Sequence, residues 1–201
     1  GGSVCLVLGD GGAAATVRAV LSDRGASLVV SASRRGPLTF SALAGDASQA
    51  SAAQIAQADE LRAQVRCIVN ATPVGMYPHA DDAPLVDLDR FPALRYVCEL
   101  LYNPLNTRLI QDARARGIAC ASGLAMLVAQ AKRSSDLFLG VERPDDIEDG
   151  VLARMRDELG VVSLIGMPGS GKTRTGMLLA DMLGFEFVDT DEMVERAAGM
   201  P

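Results

Sequence analysis

The stretch VCLVLGDGGAA, residues 4–14, joins a short apolar strand to a glycine-rich turn and the start of a helix. The turn reads G-x-G-x-x-A, beginning at Gly9 and ending at Ala14. Gly9 permits the tight turn, Gly11 lets the backbone approach a pyrophosphate, and Ala14 lets the helix pack closely on the strand. Because the free N–H groups at a helix N-terminus attract phosphate, the stretch predicts a dinucleotide-binding loop. Its predicted cofactor-binding residues are Gly9, Gly11, Gly12, Ala13 and Ala14.

Beyond this loop, short apolar runs alternate with longer amphipathic stretches. Strands are predicted over residues 4–8, 27–32, 67–70, 96–100 and 118–120. Helices are predicted over residues 13–23, 48–64, 107–116 and 123–139. This alternation predicts an α/β fold, a Rossmann-type doubly wound parallel sheet with helices on both faces. Residues 71–92 are rich in proline and aspartate and are predicted to form a loop over the sheet edge.

Composition and charge exclude several functional classes. The 201 residues are 49% hydrophobic and 22% charged, which is typical of a folded globular protein rather than a disordered one. A net charge of −6 argues against a nucleic-acid partner, and no apolar run approaches the ~20 residues of a membrane span. The four cysteines form no C-x-x-C pair and are predicted to be buried free thiols in strands, as expected in a reducing cytoplasm.

The residues after the second predicted strand indicate which dinucleotide binds. An NAD enzyme places an acidic side chain there for the ribose 2′-hydroxyl, whereas this chain has Ser33, Arg34 and Arg35. Two guanidinium groups suit a 2′-phosphate, because each can donate paired hydrogen bonds to its oxygens. The predicted cofactor is therefore NADP, and the alternative is a solvated pair of loop arginines. Asp10, a carboxylate inside the phosphate loop, is expected to point to solvent and to lower the affinity.

A second glycine-rich loop, GMPGSGKT at residues 166–173, matches G-x-x-x-x-G-K-[ST]. It lies between a predicted strand over residues 161–165 and a predicted helix over residues 172–183, and a further strand is predicted over residues 185–189. The backbone N–H groups of such a loop cradle phosphates, Lys172 would reach the terminal phosphates of ATP, and Thr173 would bind Mg²⁺. The predicted ATP-binding residues are Gly166, Gly169, Ser170, Gly171, Lys172 and Thr173.

The two loops are predicted to belong to two domains. A helix with Pro144 at its first position and acidic residues in its first turn is predicted to end at Gly160. The predicted domains are therefore residues 1–160, an NADP-binding domain, and residues 161–201, a P-loop segment. Because about 40 residues cannot bury a complete core, we expect the P-loop segment to be part of a longer domain.

Three further motifs follow the first loop in order: NATPVGM at residues 70–76, ELLYNPLNT at residues 99–107 and GLAMLVAQ at residues 123–130. With the first loop, they resemble the N-A-T-P-x-G-M, D-x-x-Y-N-P-x-x-T and G-x-x-M-L-x-x-Q motifs of shikimate dehydrogenase, and the resemblance covers residues 3–159. It implies reversible hydride transfer between NADPH and 3-dehydroshikimate, giving shikimate. The residues that it implies are Thr72, Leu100 and Gly123 at the cofactor, and Tyr102 and Gln130 at the substrate.

This chain departs from that family's pattern in several places. Glu99 replaces the usual aspartate before the tyrosine, and Ser33 stands where asparagine commonly precedes the arginine. In the family, a lysine and aspartate pair that assists proton transfer belongs to a substrate domain preceding the dinucleotide domain, and neither Lys132 nor Lys172 matches it. We therefore predict no dehydrogenase catalytic acid or base within residues 1–201, and expect NADP binding without complete catalysis.

Two carboxylates, Asp189 and Asp191, have the i, i+2 spacing that places side chains on one side of an extended chain. The alternative interpretation is a capped helix start with acidic residues in its first turn. The second loop, with FVDTD at residues 187–191 and ERAAGM at residues 195–200, resembles shikimate kinase over residues 161–201. This resemblance implies that Asp189 supports Mg²⁺ and that Asp191 binds a shikimate hydroxyl.

The two resemblances together favour a bifunctional shikimate-pathway enzyme, because the kinase would phosphorylate the product of the dehydrogenase. Its small-molecule substrates would be 3-dehydroshikimate and shikimate. Two alternatives stay open: a quinate or aminoshikimate dehydrogenase, and a nucleotide-binding module without catalysis.

Overall fold

The computed structural model describes residues 2–159, 162–183 and 187–198. The chain divides into two compact units, residues 1–152 and residues 153–201. The change of unit falls within the helix Asp146–Leu159, and Gly160, the predicted end of that helix, lies outside the described residues. Within the described ranges, none of the helices combines the length and the apolar character needed to cross a membrane.

The first unit is built on a sheet of six strands. They are β1 (Val4–Leu8), β2 (Leu28–Ser33), β3 (Leu38–Thr39), β4 (Val65–Asn70), β5 (Tyr96–Glu99) and β6 (Ala119–Ala121). All neighbouring strands are parallel, and their spatial order is β3-β2-β1-β4-β5-β6. This order confirms the predicted Rossmann-type sheet. The sequence pattern does not predict β3, because two residues are too few to show a hydrophobic period.

The helices of this unit lie between the strands or follow the last one. They are α1 (Gly12–Asp23), α2 (Phe40–Ala44), α3 (Ala52–Arg62), α4 (Arg108–Ala115), α5 (Leu124–Leu139) and α6 (Asp146–Leu159), which continues into the second unit. α3 begins later than predicted because Ser51 and Gln54 form a reciprocal capping box. The short α2, capped by the Thr39 hydroxyl, is not predicted by the sequence pattern.

The predicted start of α6 at Pro144 is wrong. The first helical residue is Asp146, and Glu148 N donates to the Asp145 carbonyl at 2.9 Å. The acidic side chains in the first turn are those of Asp146, Glu148 and Asp149. Because negative charge is favoured at a helix N-terminus, these residues stabilise a start two positions after the proline.

The core of the first unit lies against the central strands. Leu6, Leu8, Ile68 and Val97 are each at most 1% exposed, and burying such a side chain stabilises a fold by about 1.5–3 kcal/mol. The cysteines of β1, β4, β5 and β6 are free thiols, as predicted; Cys5 is buried and the other three are half-buried. Ala14 on α1 is fully buried, and its small side chain allows the close packing of helix on strand that the sequence predicts.

The second unit contains two described helices, α7 (Lys172–Leu183) and α8 (Thr190–Ala198). The bounds of α7 are those predicted. The strands predicted on either side of it are absent from the described residues: residues 162–165 and 187–189 have no regular secondary structure. Positions 161, 185 and 186 lie outside the described residues. A strand requires a neighbouring strand to satisfy its N–H and C=O groups, and no such neighbour occurs within the described part of this unit.

The two non-helical segments nevertheless flank α7. A Cβ built on Gly176 would lie 3.3 Å from Leu164 Cδ1 and 2.5 Å from Phe187 Cε2. The missing side chain at Gly176 therefore lets both apolar residues pack against the helix. This packing places Leu164, before the second glycine-rich loop, close to Phe187, before α8.

Candidate functional site

The carboxyl ends of four strands bring the predicted cofactor loops to one edge of the sheet. The register pairs Leu8 with both Ala32 and Asn70, and pairs Asn70 with Glu99, so these strands end level with one another. β2 and β4 lie on opposite sides of β1, so the strand order reverses its direction at this point. Parallel α/β sheets bind ligands in the crevice that forms where the order reverses.

The loop after β1 has an open, pre-shaped backbone. Gly9 has a φ of 117°, which side-chain-bearing residues rarely adopt, and its N–H donates to the Ala32 carbonyl at 2.7 Å. Gly11 precedes α1 in an extended conformation and supplies no side-chain cap, which leaves the first N–H groups of the helix available to a ligand. A Cβ built on Gly11 or Gly12 would meet no atom within 4 Å. The exposed residues of the loop are Asp10, Gly11, Gly12 and Ala13.

The end of β2 presents two guanidinium groups and a buried hydroxyl. Arg34 and Arg35 lie in the turn between β2 and β3, are exposed, and form no ion pair with any described residue. Ser33 is 4% exposed, and its Oγ has no hydrogen-bond partner within residues 2–159 or the other described ranges. A Cβ built on Gly36 would lie 2.7 Å from that Oγ, so the turn passes directly over Ser33. Two unpaired positive charges beside an unsatisfied hydroxyl suit a phosphate and a sugar hydroxyl.

Asn70 positions Thr72 beside the first loop. Asn70 Oδ1 accepts hydrogen bonds from Thr72 N at 3.0 Å and from Thr72 Oγ1 at 2.7 Å. Asn70 Nδ2 donates to the Val74 carbonyl at 3.4 Å, which closes the turn after β4. A Cβ built on Gly9 would lie 3.3 Å from Thr72 Cγ2. The structure therefore brings together Gly9 and Thr72, two residues that sequence motifs single out separately.

Gly123 lets the start of α5 touch the backbone that follows β5. Its N–H donates to the Leu101 carbonyl at 2.8 Å, and a Cβ built on it would lie 2.0 Å from Leu100 O. Gly123 has a φ of −69°, which any residue can adopt, so the glycine is needed for space rather than for conformation. The structure thus brings the predicted cofactor residues Leu100 and Gly123 together.

The predicted substrate residues of the first unit, Tyr102 and Gln130, are both exposed. Tyr102 is 43% exposed in the loop before α4, and Gln130 lies on α5 with the exposed Met126. Leu124 and Val128 are buried on the other face of α5, as the helical spacing predicts. Ala131, which the i, i+3 spacing from Val128 places on the same side of the helix, is exposed. The described structure contains no hydrogen bond between Tyr102 and Gln130.

A buried polar pair, Glu99 and Thr107, lies at the same edge of the sheet. Both residues are 2% exposed, and Thr107 Oγ1 donates to Glu99 Oε2 at 3.0 Å. Burial raises the pKa of Glu99 to about 7, although the Thr107 hydrogen bond and the nearby polar groups of Asn70 and the Leu101 backbone act in the opposite direction. Sequence reasoning does not assign Asn70 or Thr107 a function. For Glu99, the only signal is its substitution for the usual aspartate of the motif.

In the second unit, the second glycine-rich loop directly precedes α7. Gly169 and Gly171 have φ values of 77° and 84°, which give the alternating backbone of an anion-binding loop. Lys172 Nζ donates to the Gly166 carbonyl at 2.9 Å and to the Met167 carbonyl at 3.0 Å. The lysine therefore closes over its own loop. The other predicted ATP-binding residues, Ser170 and Thr173, are exposed.

Asp189 caps α8. Its Oδ1 accepts a hydrogen bond from Asp191 N at 3.0 Å, and its carbonyl accepts one from Met193 N at 3.1 Å. Asp191 is exposed in the first turn of that helix. Locally, the capped helix start is the interpretation that agrees with the structure, and the two carboxylates do not end a strand. Within the described residues, no cluster of three or more His, Cys, Asp or Glu side chains could hold a metal ion.

Comparison with known proteins gives two findings on sequence. The shikimate kinase family model matches residues 168–201. The shikimate dehydrogenase (NADP(+)) of Methanopyrus kandleri is 35% identical to this chain over 162 residues, which are 77% of this chain and 56% of that protein.

Two solved structures have a similar fold. A chorismate mutase/shikimate 5-dehydrogenase fusion protein from Clostridium acetobutylicum matches with a TM-score of 0.65 and 26% identity, covering 79% of this chain and 55% of that one. A shikimate 5-dehydrogenase from Thermus thermophilus, in complex with NADP(H) and shikimate, matches with a TM-score of 0.54 and 27% identity, covering 75% and 54%. The chain therefore spans about half the length of the relatives it matches.

Proposed function

We propose that this chain, most of which is covered by shikimate dehydrogenase homologues, is the NADP-binding part of a shikimate dehydrogenase joined to the first part of a shikimate kinase. The complete reactions would be NADPH-dependent reduction of 3-dehydroshikimate and ATP-dependent phosphorylation of shikimate. The observation that best supports this proposal is the meeting of the loops at one edge of the sheet. There, Thr72 packs against Gly9, and Leu100 packs against Gly123.

The residues at this edge fit NADP. The open backbone at Gly11 and Gly12 suits the pyrophosphate, and the unpaired Arg34 and Arg35 suit the 2′-phosphate. The unsatisfied Ser33 hydroxyl adds a hydrogen-bonding group for the ribose. When bound, NADPH supplies the hydride.

The protein would position the reacting rings. Leu100 and Gly123 would line the nicotinamide, while Tyr102 and Gln130 would contact hydroxyl or carboxylate groups of the substrate. Residues 1–201 contain no match to the acid–base pair that the resemblance implies for proton transfer. We therefore expect the chain by itself to bind NADP without turning over shikimate.

The second loop fits the phosphates of ATP. Lys172 would reach the terminal phosphates, and Thr173 and Asp189 would hold Mg²⁺ together with phosphate oxygens. Asp189 uses Oδ1 as a helix cap, and its Oδ2 makes no hydrogen bond to any described residue, which leaves one oxygen for a cation. Asp191, exposed in the first turn of α8, would bind a shikimate hydroxyl.

A nucleotide-binding module without catalysis is the second candidate function. The observation that favours it is the exposure of Tyr102 and Gln130, which have no common partner among the described residues. An assay of NADPH formation from NADP, with shikimate and then with quinate, separates these possibilities when it is made on the chain and on a version extended at both ends. Turnover of shikimate by the extended version alone would support the proposal, and no turnover by either version would favour the module. Turnover of shikimate by the chain itself would show that it is catalytically complete, whereas turnover of quinate alone would favour a quinate dehydrogenase.

The proposed cofactor is tested by calorimetric titration of the chain with NADP and with NAD. We expect NADP to bind more tightly. Arg34→Ala is expected to raise the dissociation constant for NADP by about 10- to 100-fold and to leave that for NAD unchanged, since a charge-assisted hydrogen bond contributes about 1.5–3 kcal/mol. Arg24→Ala, at the opposite end of α1, is the matched control. Equal preference for the two dinucleotides, before and after the Arg34 change, would contradict the proposal.

A further inference from the structure

Glu99 is a buried acid that the proposed function does not use. It is the last residue of β5, and its register partner on β4 is Asn70. Only 2% of its surface is exposed, and its Oε1 has no hydrogen-bond partner within the described structure. An unpaired carboxylate oxygen at such a site is costly, so the position of the acid requires an explanation.

The hydrogen bonds of Thr107 determine where a proton on Glu99 would lie. Thr107 Oγ1 accepts from Ile110 N at 3.4 Å as the N-cap of α4, so its single proton is free to point to Glu99 Oε2, 3.0 Å away. When that proton points to Oε2, a proton taken up by Glu99 lies on Oε1.

The surroundings of Glu99 favour its neutral form. The residues around it include one acid, Asp82, and one base, Arg108, which line a small cavity of about 10 Å³ with Glu99 and Thr107. Arg108 donates to the Asp81 carbonyl at 3.2 Å and makes no ion pair with Glu99. Burial raises the pKa of Glu99 from 4.5 to about 7, so the group changes charge near neutral pH.

Glu99 also lies between the two segments that carry the proposed cofactor residues. On one side, Asn70 fixes Thr72 by two hydrogen bonds, and the Asn70 carbonyl accepts from Leu100 N at 3.1 Å. On the other side, Thr107 ends the loop that contains Tyr102. We therefore expect a change of charge at the Glu99 carboxyl to alter both the turn after β4 and the loop after β5.

We propose that Glu99 is a positioning residue whose neutral form holds these two segments in the arrangement that binds NADP, so that ionisation of Glu99 weakens NADP binding. The inference rests on the proposed NADP site. When Glu99 is ionised, the buried charge on Oε1 has to be hydrated or paired, and the two segments must separate to allow this. Because NADP would bind the arrangement that the neutral form holds, its binding favours the protonated form by linkage.

The first experiment follows Glu99 by NMR in the chain without cofactor. The side-chain carboxyl carbon that disappears in Glu99→Gln is expected to titrate with a midpoint near 7, and the amide signals of Thr72, Leu100 and Ile110 should change with the same midpoint. Thr107→Val should move that midpoint upward, because it removes a hydrogen bond to the charged form, whereas Thr107→Ser should leave it in place. A Glu99 titration midpoint near 4.5, or amide signals that do not change with the Glu99 midpoint, would overturn the inference.

The second experiment compares NADP dissociation constants of the wild type and Glu99→Gln from about pH 6 to about pH 8. Glutamine keeps the size and neutrality of the protonated acid, and the 2′-phosphate titrates equally in both measurements. The wild type should lose about three- to tenfold more affinity than the variant, which corresponds to a pKa change of half to one unit on binding. Identical pH dependence in both proteins would refute the inference alone. Failure of both proteins to bind NADP at any pH would instead refute the proposed function.

Discussion

The two glycine-rich loops differ in how much structure supports them. The first loop follows β1, whose Leu6 and Leu8 are at most 1% exposed, and Gly9 is held by a hydrogen bond to a neighbouring strand. The second follows residues 162–165, which form no strand and include Ile165 at 93% exposure. The longer and more specific sequence motif thus has the weaker local framework. Motif quality and preorganisation of a site are separate properties.

This difference has an energetic consequence for binding. A loop fixed by a surrounding sheet loses little conformational freedom when a phosphate binds, whereas a loop without such support must be ordered by the ligand. In the second loop, Lys172 must also give up two carbonyl partners. We therefore expect substitutions in the surrounding packing to weaken binding at the first loop. At the second loop, we expect substitutions of residues that contact phosphate directly to weaken binding.

The largest expected effect is a loss of stability in the Gly123→Ala variant, because the substitution disrupts the packing of the first unit beside the first glycine-rich loop. The added Cβ would lie 2.0 Å from the Leu100 carbonyl oxygen, and no side-chain rotation can separate a Cβ from a backbone oxygen. We expect the free energy of unfolding to fall by about 3 kcal/mol or more. Urea denaturation measures this, with Gly150→Ala in α6 as the control, since a Cβ there meets nothing and alanine favours helix by about 1 kcal/mol. A Gly123→Ala protein as stable as the wild type would show that the backbone around Leu100 and Gly123 is not rigid.

Glu99→Gln is expected to have the next largest effect, on how the stability of the first unit depends on pH. Because the pKa of Glu99 is about 7 in the folded chain and 4.5 ordinarily, its stabilising contribution is full below about 4.5 and is lost as pH rises through about 7. The wild type should lose roughly 3 kcal/mol of unfolding free energy across this window from Glu99 alone. The Glu99→Gln variant should not lose this stability as pH rises. The Glu60→Gln variant, changed at an exposed position of α3, should lose it as the wild type does. Parallel stability curves for wild type and Glu99→Gln would rule out a shifted Glu99.

In the second loop, Lys172→Ala should weaken binding without weakening the fold. The Lys172 amine makes hydrogen bonds to two loop carbonyls and to no other described residue, so the unfolding free energy should stay within about 0.5 kcal/mol of wild type. Binding of Mg²⁺–ATP should weaken by about tenfold or more, because one charge-assisted contact to phosphate is lost. Calorimetry on Lys172→Ala and on the exposed Arg174→Ala compares a loop residue with its neighbour on α7. Equal losses in both variants would mean that general charge, not the loop, attracts ATP.

What the sequence predicts well in this molecule is local. The turn at Gly9, the helix α7 and the order of strands and helices follow from periodicity and glycine placement over a few neighbouring residues. What it misses depends on pairing between distant segments. The burial of Glu99 requires Asn70 on the next strand, and the strand predicted over residues 161–165 requires a partner that the described part of its unit does not supply. Both cases have the same physical reason. Hydrogen bonds between strands depend on two distant segments, and neither segment alone encodes them.

The smallest expected effect concerns Asp10, the acid within the first loop, which has no counterpart in residues 166–173. Asp10 is exposed, so water and salt screen its repulsion of the pyrophosphate, and Asp10→Ala should tighten NADP binding by no more than about threefold. The gain should shrink as salt is raised from about 0.05 M to about 0.5 M, because the Debye length falls several-fold. Asp23→Ala, at the far end of α1, should change the dissociation constant at neither salt concentration. If removal of Asp10 instead weakens NADP binding, its carboxylate contacts the ligand or holds the loop in shape. The first loop would then depend on a direct contact, as we expect of the second, and the contrast between them would narrow.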